Sequence, residues 1–254
     1  AVTGFDISDI TLGNATASNF NATSTSVYTA IITPTTDGIV TIDIAKDIAM
    51  DSANNGNTAA TQFSVTYDFT NPTVSISSSV ASPTNGAFIT TFTFSEAVSG
   101  FDISDITLGN ATASNFNATS TSVYTAIITP TTDGIVTIDT AKDIAMDAAN
   151  NGNTAATQFS VTYDFTNPTV SISSSVANPT NGAFTTTFTF SEAVSGFDIS
   201  DITLGNATAS NFNATSTSVY TAIITPTTDG IVTIDIAKDV AIDAANNRNI
   251  AATQ

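Results

Sequence analysis

Residues 4–43, GFDISDITLGNATASNFNATSTSVYTAIITPTTDGIVTID, recur unchanged at residues 100–139 and 196–235. The starting positions 4, 100 and 196 give a constant period of 96 residues. Solenoid repeats of roughly 20–50 residues share one core with their neighbours, whereas a repeat of about 100 residues can enclose a core of its own. The sequence therefore predicts a tandem array of separate domains.

The period divides the chain into three repeats, of which the middle one, residues 68–163, contains every segment. Residues 1–67 have no counterpart of residues 70–96, and residues 164–254 have no counterpart of the segment FSVTYD at residues 159–164. We therefore expect a partial first repeat without its first strands, a complete second repeat and a third repeat without its last strand. Because a split domain leaves sheet edges open, we expect the chain to be an excerpt of a longer protein. The alternative is a subunit completed by strands from neighbouring copies.

The middle repeat contains short segments in which β-branched and aromatic residues alternate with polar ones, a pattern typical of half-buried strands. Turn signals rich in Pro, Asn and Gly separate them, as at residues 82–86 and 130–134. Seven such segments in one repeat predict an all-β fold of tandem immunoglobulin-like β-sandwich domains. The predicted strands cover residues 73–79, 88–94, 103–108, 113–118, 123–129, 135–140 and 157–163, with the fourth as a short additional strand beside the third.

The composition argues against an enzyme and against several classes of partner. The chain has no histidine and no cysteine, which removes the common general bases, thiol nucleophiles and soft-metal ligands. Its 22 acidic and 4 basic residues give a net charge of −18, which disfavours nucleic acid and anionic membranes as partners and favours hard cations. No stretch approaches the roughly 20 apolar residues of a membrane span.

The residue usage also indicates where such a protein works. Threonine, serine, asparagine and alanine dominate, while lysine, arginine and glutamate are scarce, as is typical of long secreted bacterial arrays. Such arrays often have no disulfides, so the lack of cysteine is compatible with an oxidising environment. We therefore expect an extracellular or cell-surface location.

Most acidic side chains of the repeat are predicted to gather at one end of the sandwich. In an immunoglobulin-like sandwich the entry to the first strand, the loop after the second strand and the loop before the last strand lie at the same end. Carboxylates crowded there would repel one another or require a cation, and Ca²⁺ takes about six to eight oxygen ligands. The acids placed at this end are Asp68, Glu96, Asp102, Asp105, Asp139, Asp143 and Asp147, whereas Asp133 alone lies in a turn at the opposite end.

The loop after the sixth strand carries the sharpest motif, DIAMDAANNGN at residues 143–153, with related copies at residues 47–57 and 239–249. Asp and Asn supply oxygen ligands, and Asn and Gly tolerate the left-handed backbone conformation that lets a loop curl around an ion. The motif lacks the EF-hand pattern. Its alternative interpretation is a solvated loop of turn-forming Asn and ordinary surface Asp. In the third repeat Arg248 replaces Gly152, which we expect to weaken that copy of the site.

Four motifs occur in a fixed order: DxTxPTV from Asp68, FSEAVSGFDxSD from Phe94, YTA…TPTxDG from Tyr124, and DAAxNxN from Asp147. With them the whole chain resembles the bacterial Ig-like repeats of giant biofilm-associated surface proteins and RTX-type adhesins. In that family such repeats form the extender, or stalk, and calcium between neighbouring domains commonly stiffens it. The resemblance implies the same role and the same ion here. Asn150 departs from the family, which usually has glycine at this position.

The charge pattern, the loop motif and the resemblance together define the candidate calcium ligands. In the second repeat they are Asp68, Glu96, Asp102, Asp105, Asp143, Asp147, Asn151 and Asn153, and in the third repeat Asp164, Glu192, Asp198, Asp201, Asp239, Asp243 and Asn247.

The leading hypothesis is a non-enzymatic structural extender of an extracellular bacterial adhesin or surface protein, stiffened by calcium at the domain junctions. Its partners would be neighbouring repeats of the same or a longer chain. We expect no nucleic acid partner and no insertion of this segment into a membrane. One alternative is a subunit of an extracellular filament or sheath, a homopolymer assembled by strand exchange or lateral packing. A second alternative is a glycan- or protein-binding module, against which the lack of an aromatic cluster argues.

Overall fold

The structure, a computed structural model, describes residues 1–252. The regular secondary structure of this part of the chain consists of antiparallel strands and three short 3₁₀ turns, and none of its helices is long and apolar enough to cross a membrane. In chain order the strands are β1 (Ile10–Gly13), β2 (Ala15–Ala22), β3 (Tyr28–Pro34), β4 (Gly38–Ile44), β5 (Phe63–Tyr67), β6 (Val74–Ser77), β7 (Phe88–Phe94), β8 (Ile106–Gly109), β9 (Ala111–Ala118), β10 (Val123–Pro130), β11 (Gly134–Thr140), β12 (Phe159–Tyr163), β13 (Val170–Ser174), β14 (Phe184–Phe190), β15 (Ile202–Gly205), β16 (Ala207–Ala214), β17 (Val219–Pro226) and β18 (Thr233–Ile236).

The strands of the second repeat form two antiparallel sheets. One sheet has the order β6-β7-β10-β9 and the other the order β12-β11-β8. The first, second, fifth and fourth strands therefore share one sheet, and the third, sixth and seventh share the other, as in constant-type immunoglobulin domains. The prediction of tandem immunoglobulin-like β-sandwich domains is confirmed.

The other two repeats use the same pairings. In the first repeat the sheets are β1-β4-β5 and β2-β3, and in the third they are β13-β14-β17-β16 and β15-β18. Corresponding strands pair in the same register, so that Ile10 faces Ile44 in the first repeat and Ile202 faces Ile236 in the third.

Two of the predicted strands differ from the structure. The segment 103–108 becomes a strand only from Ile106, because residues 103–105 form a 3₁₀ turn that Asp102 caps. The segment 113–118 is not an additional strand beside β8. It belongs to β9, which pairs with β10 in the other sheet, because Asn110 adopts a left-handed conformation with a φ of 58° and turns the chain away from β8. The first and last strands of the repeat are also shorter than predicted.

The core of the third repeat shows why these segments form strands. Along β17, Tyr220, Ala222 and Ile224 are buried, whereas the residues between them point outward. Phe188 on β14 is 0% exposed and packs in the same cluster. Because alternate side chains of a strand face opposite sides of the sheet, this spacing of apolar residues selects an extended conformation with one buried face.

The contacts within the chain define two compact units. The first comprises Ala1–Thr73, Glu96–Gly100 and Lys142–Thr154, and the second comprises Val74–Ser95, Phe101–Ala141 and the chain from Ala155 onward. The first unit therefore contains the first repeat, the linker that follows it and two loops of the second repeat. Each of the two linkers, together with the loops around it, lies within a single unit.

Asn110 joins two turns of the second repeat. Its Oδ1 accepts hydrogen bonds from the hydroxyl of Thr131 at 2.9 Å and from the amide and hydroxyl of Thr132 at 3.2 and 2.7 Å. Its Nδ2 donates to the carbonyl of Thr132 at 2.7 Å. The side chain thus fixes the turn between β10 and β11 while its own backbone is left-handed.

We expect Asn110→Ala to lower the free energy of unfolding by about 2–3 kcal/mol. The substitution removes these hydrogen bonds, and alanine, which has no polar side chain to bond locally, is less stable than asparagine in the left-handed region. Urea unfolding followed by circular dichroism measures the change. The matched control is Asn117→Ala, since Asn117 begins the same Asn-Ala-Thr triplet but is exposed on β9. Equal urea midpoints for the two variants would contradict the role of Asn110.

Candidate metal centre

The loop between β11 and β12 is closed by one buried amide side chain. Asn153, 1% exposed, accepts hydrogen bonds at its Oδ1 from the backbone amides of Ile144 at 3.0 Å and Ala145 at 2.9 Å. Its Nδ2 donates to the carbonyl of Thr154 at 2.8 Å. Asn153, a predicted metal ligand, therefore uses its amide group to shape the loop.

Asp147 lies inside this loop with 6% of its surface exposed. Its Oδ1 accepts hydrogen bonds from the amides of Ala149 at 2.7 Å and Asn151 at 2.9 Å, and its Oδ2 accepts one from Nδ2 of Asn151 at 2.9 Å. The same Nδ2 donates to the carbonyl of Asp68 at 3.1 Å. Asn151 thereby connects the loop to the linker that enters the repeat.

Three carboxylates meet at this point. Asp68, Glu96 and Asp147 each present an oxygen, and these oxygens all lie within 4.8 Å of one another. Asp164, Glu192 and Asp243 form the same group in the third repeat. We call these two sets the acidic groups.

Among the described residues no cation balances the acidic group of the second repeat. The nearby Lys142 pairs with Asp143 instead, at 3.3 Å, and both side chains are exposed. The Glu96 carboxylate accepts no hydrogen bond and forms no ion pair within residues 1–252. Both of its oxygens are therefore free to bind an ion.

The crowding of negative charge shifts the pKa of the glutamate. Burial raises the pKa of Glu96, and the charges of Asp68, Asp147 and Asp37 raise it further. The pKa of Glu192 is raised for the same reasons, by burial and then by the carboxylates of Asp164, Asp243 and Asp133.

Asp147 shows the opposite shift. Burial raises its pKa, but the hydrogen bonds from the side chain and amide of Asn151 and from the amides of Ala149 and Asn150 outweigh it, so the pKa lies below its usual value. Asp147 therefore stays ionised although it is buried. A buried anion beside two further carboxylates is an environment that favours a bound cation.

The donor set fits a hard divalent ion. The three carboxylates provide only oxygen ligands, which Ca²⁺ prefers and accepts in a forgiving geometry. Asp68, Glu96 and Asp147 would hold the ion in the second repeat. Asp164, Glu192 and Asp243 would hold it in the third.

The remaining candidate ligands are engaged elsewhere. Asp102 Oδ1 accepts from the amide of Ser104 at 2.7 Å, and Asp105 Oδ2 accepts from the amide of Asp102 at 2.8 Å, so both carboxylates cap the 3₁₀ turn. Asp198 and Asp201 repeat this arrangement. Asp143 and Asp239 pair with the exposed lysines Lys142 and Lys238. Asp139, also expected at this end, accepts a hydrogen bond from Gln158.

Asp37 and Asp133 are neighbours of the acidic groups that were not predicted from the sequence. Asp133 was predicted to lie alone at the opposite end of its own repeat, yet its charge raises the pKa of Glu192 in the next repeat. The sequence contains a signal for this position, because the far end of one repeat must face the linker into the next repeat. It becomes visible only when two repeats are considered together.

Arg248 leaves the acidic group of the third repeat in place. Its carbonyl accepts a hydrogen bond from Asn167 at 2.6 Å, as the carbonyl of Gly152 does from Asn71 at 2.5 Å. Its side chain points to the carbonyl of Asp239 at 3.4 Å. The expected weakening of this site concerns ion affinity and stays a prediction.

The fold and the acidic group at each linker define a tandem immunoglobulin-like repeat protein. A family described as bacterial Ig-like domain matches residues 1–67, 68–163 and 164–254, and the chain belongs to this family. The description of this family names no catalytic activity.

Two solved structures are similar to the chain. Invasin, a bacterial integrin-binding protein, is 16% identical over 89% of this chain and 48% of its own, with a TM-score of 0.41. Domains 4–9 of the surface layer protein SbsC are 14% identical over 97% of this chain and 39% of their own, with a TM-score of 0.28. The chain thus spans about half or less of these structures. A search of curated proteins found no significant match.

In the ion-free protein we expect the carboxyl group of Glu96 to titrate above its usual pKa, and Asp68→Asn to lower that pKa by removing one repelling charge. Because the folded-state pKa is raised, protonation of Glu96 favours the folded state, so the junction becomes more stable as the pH falls through this pKa. NMR titration of the side-chain carboxyl carbon in chelator measures it. Asp43→Asn is the control, since Asp43 bonds Gln62 outside the group. A Glu96 pKa unchanged by Asp68→Asn would disprove the coupling.

Proposed function

We propose that the chain is part of the stalk of an extracellular bacterial surface protein, in which calcium at each acidic group stiffens the junction between repeats. Three tandem domains of one family, with a constant period of 96 residues from position 4 to 100 to 196, suit a spacer whose length is set by copy number. The identical segments 4–43, 100–139 and 196–235 give each repeat the same surface, which suits a structural role.

The observation that carries this proposal is the composition of each acidic group. Asp68 belongs to the linker, whereas Glu96 and Asp147 come from two loops of the repeat that follows. An ion bound by all three would therefore connect the linker to the domain it enters. Calcium supplies the positive charge and the flexible coordination for such a connection.

Electrostatics predicts what the ion changes. Without it, the three carboxylates repel one another within 4.8 Å, which favours any movement that carries Asp68 away from Glu96 and Asp147. With a divalent ion between them, the same charges attract a common centre. Removing the ion should therefore loosen the linker while each sandwich, whose core lies elsewhere, stays folded.

We expect small-angle X-ray scattering to show a shorter maximum dimension and greater flexibility in chelator than in millimolar calcium. The double variant Glu96→Gln/Glu192→Gln should lose most of this response, because it removes the free carboxylate of each acidic group. The matched control Asp143→Asn/Asp239→Asn removes two exposed acids of the same loops and should respond like the wild type. Identical scattering of the wild type in calcium and in chelator would refute the stiffening.

Calcium at about one hundred times its dissociation constant should raise the free energy of unfolding by about 2.7 kcal/mol for each occupied site. Calorimetric melting in calcium and in chelator measures this increase. It should be absent in Glu96→Gln/Glu192→Gln and present in Asp143→Asn/Asp239→Asn. A melting temperature independent of calcium in the wild type would count against an ion site in either acidic group.

A further inference from the structure

The two linkers, residues 68–72 and 164–168, have the same sequence, DFTNP. A peptide of five residues with free backbone torsions would let two domains reorient widely. Both linkers are instead held by hydrogen bonds, some from the repeat before and some from the repeat after.

The preceding repeat holds the second linker through one aspartate. Asp133, in the turn between β10 and β11, accepts a hydrogen bond at Oδ1 from the amide of Phe165 at 2.7 Å. Its Oδ2 accepts a second one from the hydroxyl of Thr166. Hydrogen bonds to an ionised carboxylate are stronger than those between neutral groups, and the two from Thr166 and Phe165 hold the pKa of Asp133 below its usual value.

The following repeat holds the other residues of this linker. Three hydrogen bonds connect it to the loop that contains Asp243: Nδ2 of Asn247 to the carbonyl of Asp164 at 2.8 Å, Nδ2 of Asn167 to the carbonyl of Arg248 at 2.6 Å, and the amide of Ile250 to the carbonyl of Pro168 at 3.0 Å. Every residue of the linker thus forms at least one bond to a neighbouring repeat.

The first linker repeats the arrangement. Asp37 Oδ1 accepts from the amide of Phe69 at 2.8 Å, and its Oδ2 accepts from the hydroxyl of Thr70. On the other side, Nδ2 of Asn151 donates to the carbonyl of Asp68 at 3.1 Å, Nδ2 of Asn71 to the carbonyl of Gly152 at 2.5 Å, and the amide of Thr154 to the carbonyl of Pro72 at 2.8 Å.

The third repeat shows that its turn does not need this aspartate. Asp229 occupies the same position in the same turn sequence, TPTTDG, but its carboxylate has no hydrogen bond among the described residues. The turn keeps its usual bonds: the hydroxyls of Thr227 and Thr228 donate to Oδ1 of Asn206, and Nδ2 of Asn206 donates to the carbonyl of Thr228. The turn thus forms its bonds to Asn206 without a hydrogen bond to the Asp229 carboxylate.

We propose that Asp37 and Asp133 are positioning residues that fix each linker to the repeat before it, without any bound ion. Calcium at the acidic groups would then reinforce a junction that is already ordered. These contacts are hydrogen bonds from the preceding repeat and do not involve the carboxylates of Glu96 and Glu192, so the proposal stands whether or not those groups bind calcium.

Amide hydrogen exchange of the 254-residue chain in chelator tests the proposal. Asp37→Ala/Asp133→Ala should increase the exchange rates at Phe69 and Phe165 by about tenfold or more, which corresponds to about 1.4 kcal/mol of lost protection. Asp229→Ala is the matched control, because it makes the same change in the same turn sequence and the Asp229 carboxylate accepts no hydrogen bond among the described residues. It should leave both rates unchanged.

A second double variant separates the linker from the turn. Thr70→Val/Thr166→Val removes the hydroxyl donors on the linker side and leaves both turns intact. It should also speed exchange at Phe69 and Phe165, though less than the loss of the carboxylates. Unchanged exchange in both double variants, or faster exchange only together with loss of β-sheet circular dichroism, would overturn the proposal.

Discussion

The hydrogen bonds that Asp147 accepts from its own loop are the constraint on which the acidic group depends. Asp147 is only 6% exposed, and burial disfavours the charged form of a carboxylate. The amides of Ala149 and Asn151 and the side chain of Asn151 keep it ionised. Nδ2 of Asn151 also donates to the carbonyl of Asp68, so the group that donates to the Asp147 carboxylate also holds a second acidic residue beside it. Asn153 in turn holds the loop in the shape that permits both contacts.

The sequence predicted the fold well because its signals are local. Alternation of apolar and polar residues predicted the strands from Phe88–Phe94 to Gly134–Thr140, and most of the predicted strand ends lie within about two residues of the observed ones. The errors arose where a polar side chain overrides alternation. Asp102 draws residues 103–105 into a 3₁₀ turn through its bond to Ser104. Asn110, in the left-handed region, directs β9 to the other sheet. Neither the 3₁₀ turn nor the sheet to which β9 belongs can be predicted from a pattern of hydrophobicity.

The acidic group was only partly predictable. Asp68, Glu96 and Asp147 were among the predicted residues because the topology brings their loops to one end, and the structure places them together. Topology assigns an end of the domain but does not say which carboxylates face one another. Asp102 and Asp105 lie on a loop at this end, yet their carboxylate oxygens accept hydrogen bonds from backbone amides. Asp133 was set aside because the prediction considered a single repeat, whereas its bonds are to Phe165 and Thr166 beyond the end of that repeat.

The pairing of a turn aspartate with a DFTNP segment has a consequence for how such a protein can change in evolution. Each contact joins two different surfaces, one near the end of a repeat and one near the start of the next, and a heterologous contact of this kind does not close on itself. Asp37 and Asp133 bond identical segments, so an inserted copy would meet matching surfaces on both sides. Unequal recombination between near-identical repeats can therefore lengthen or shorten the array in steps of one domain, with no compensating substitution at any junction.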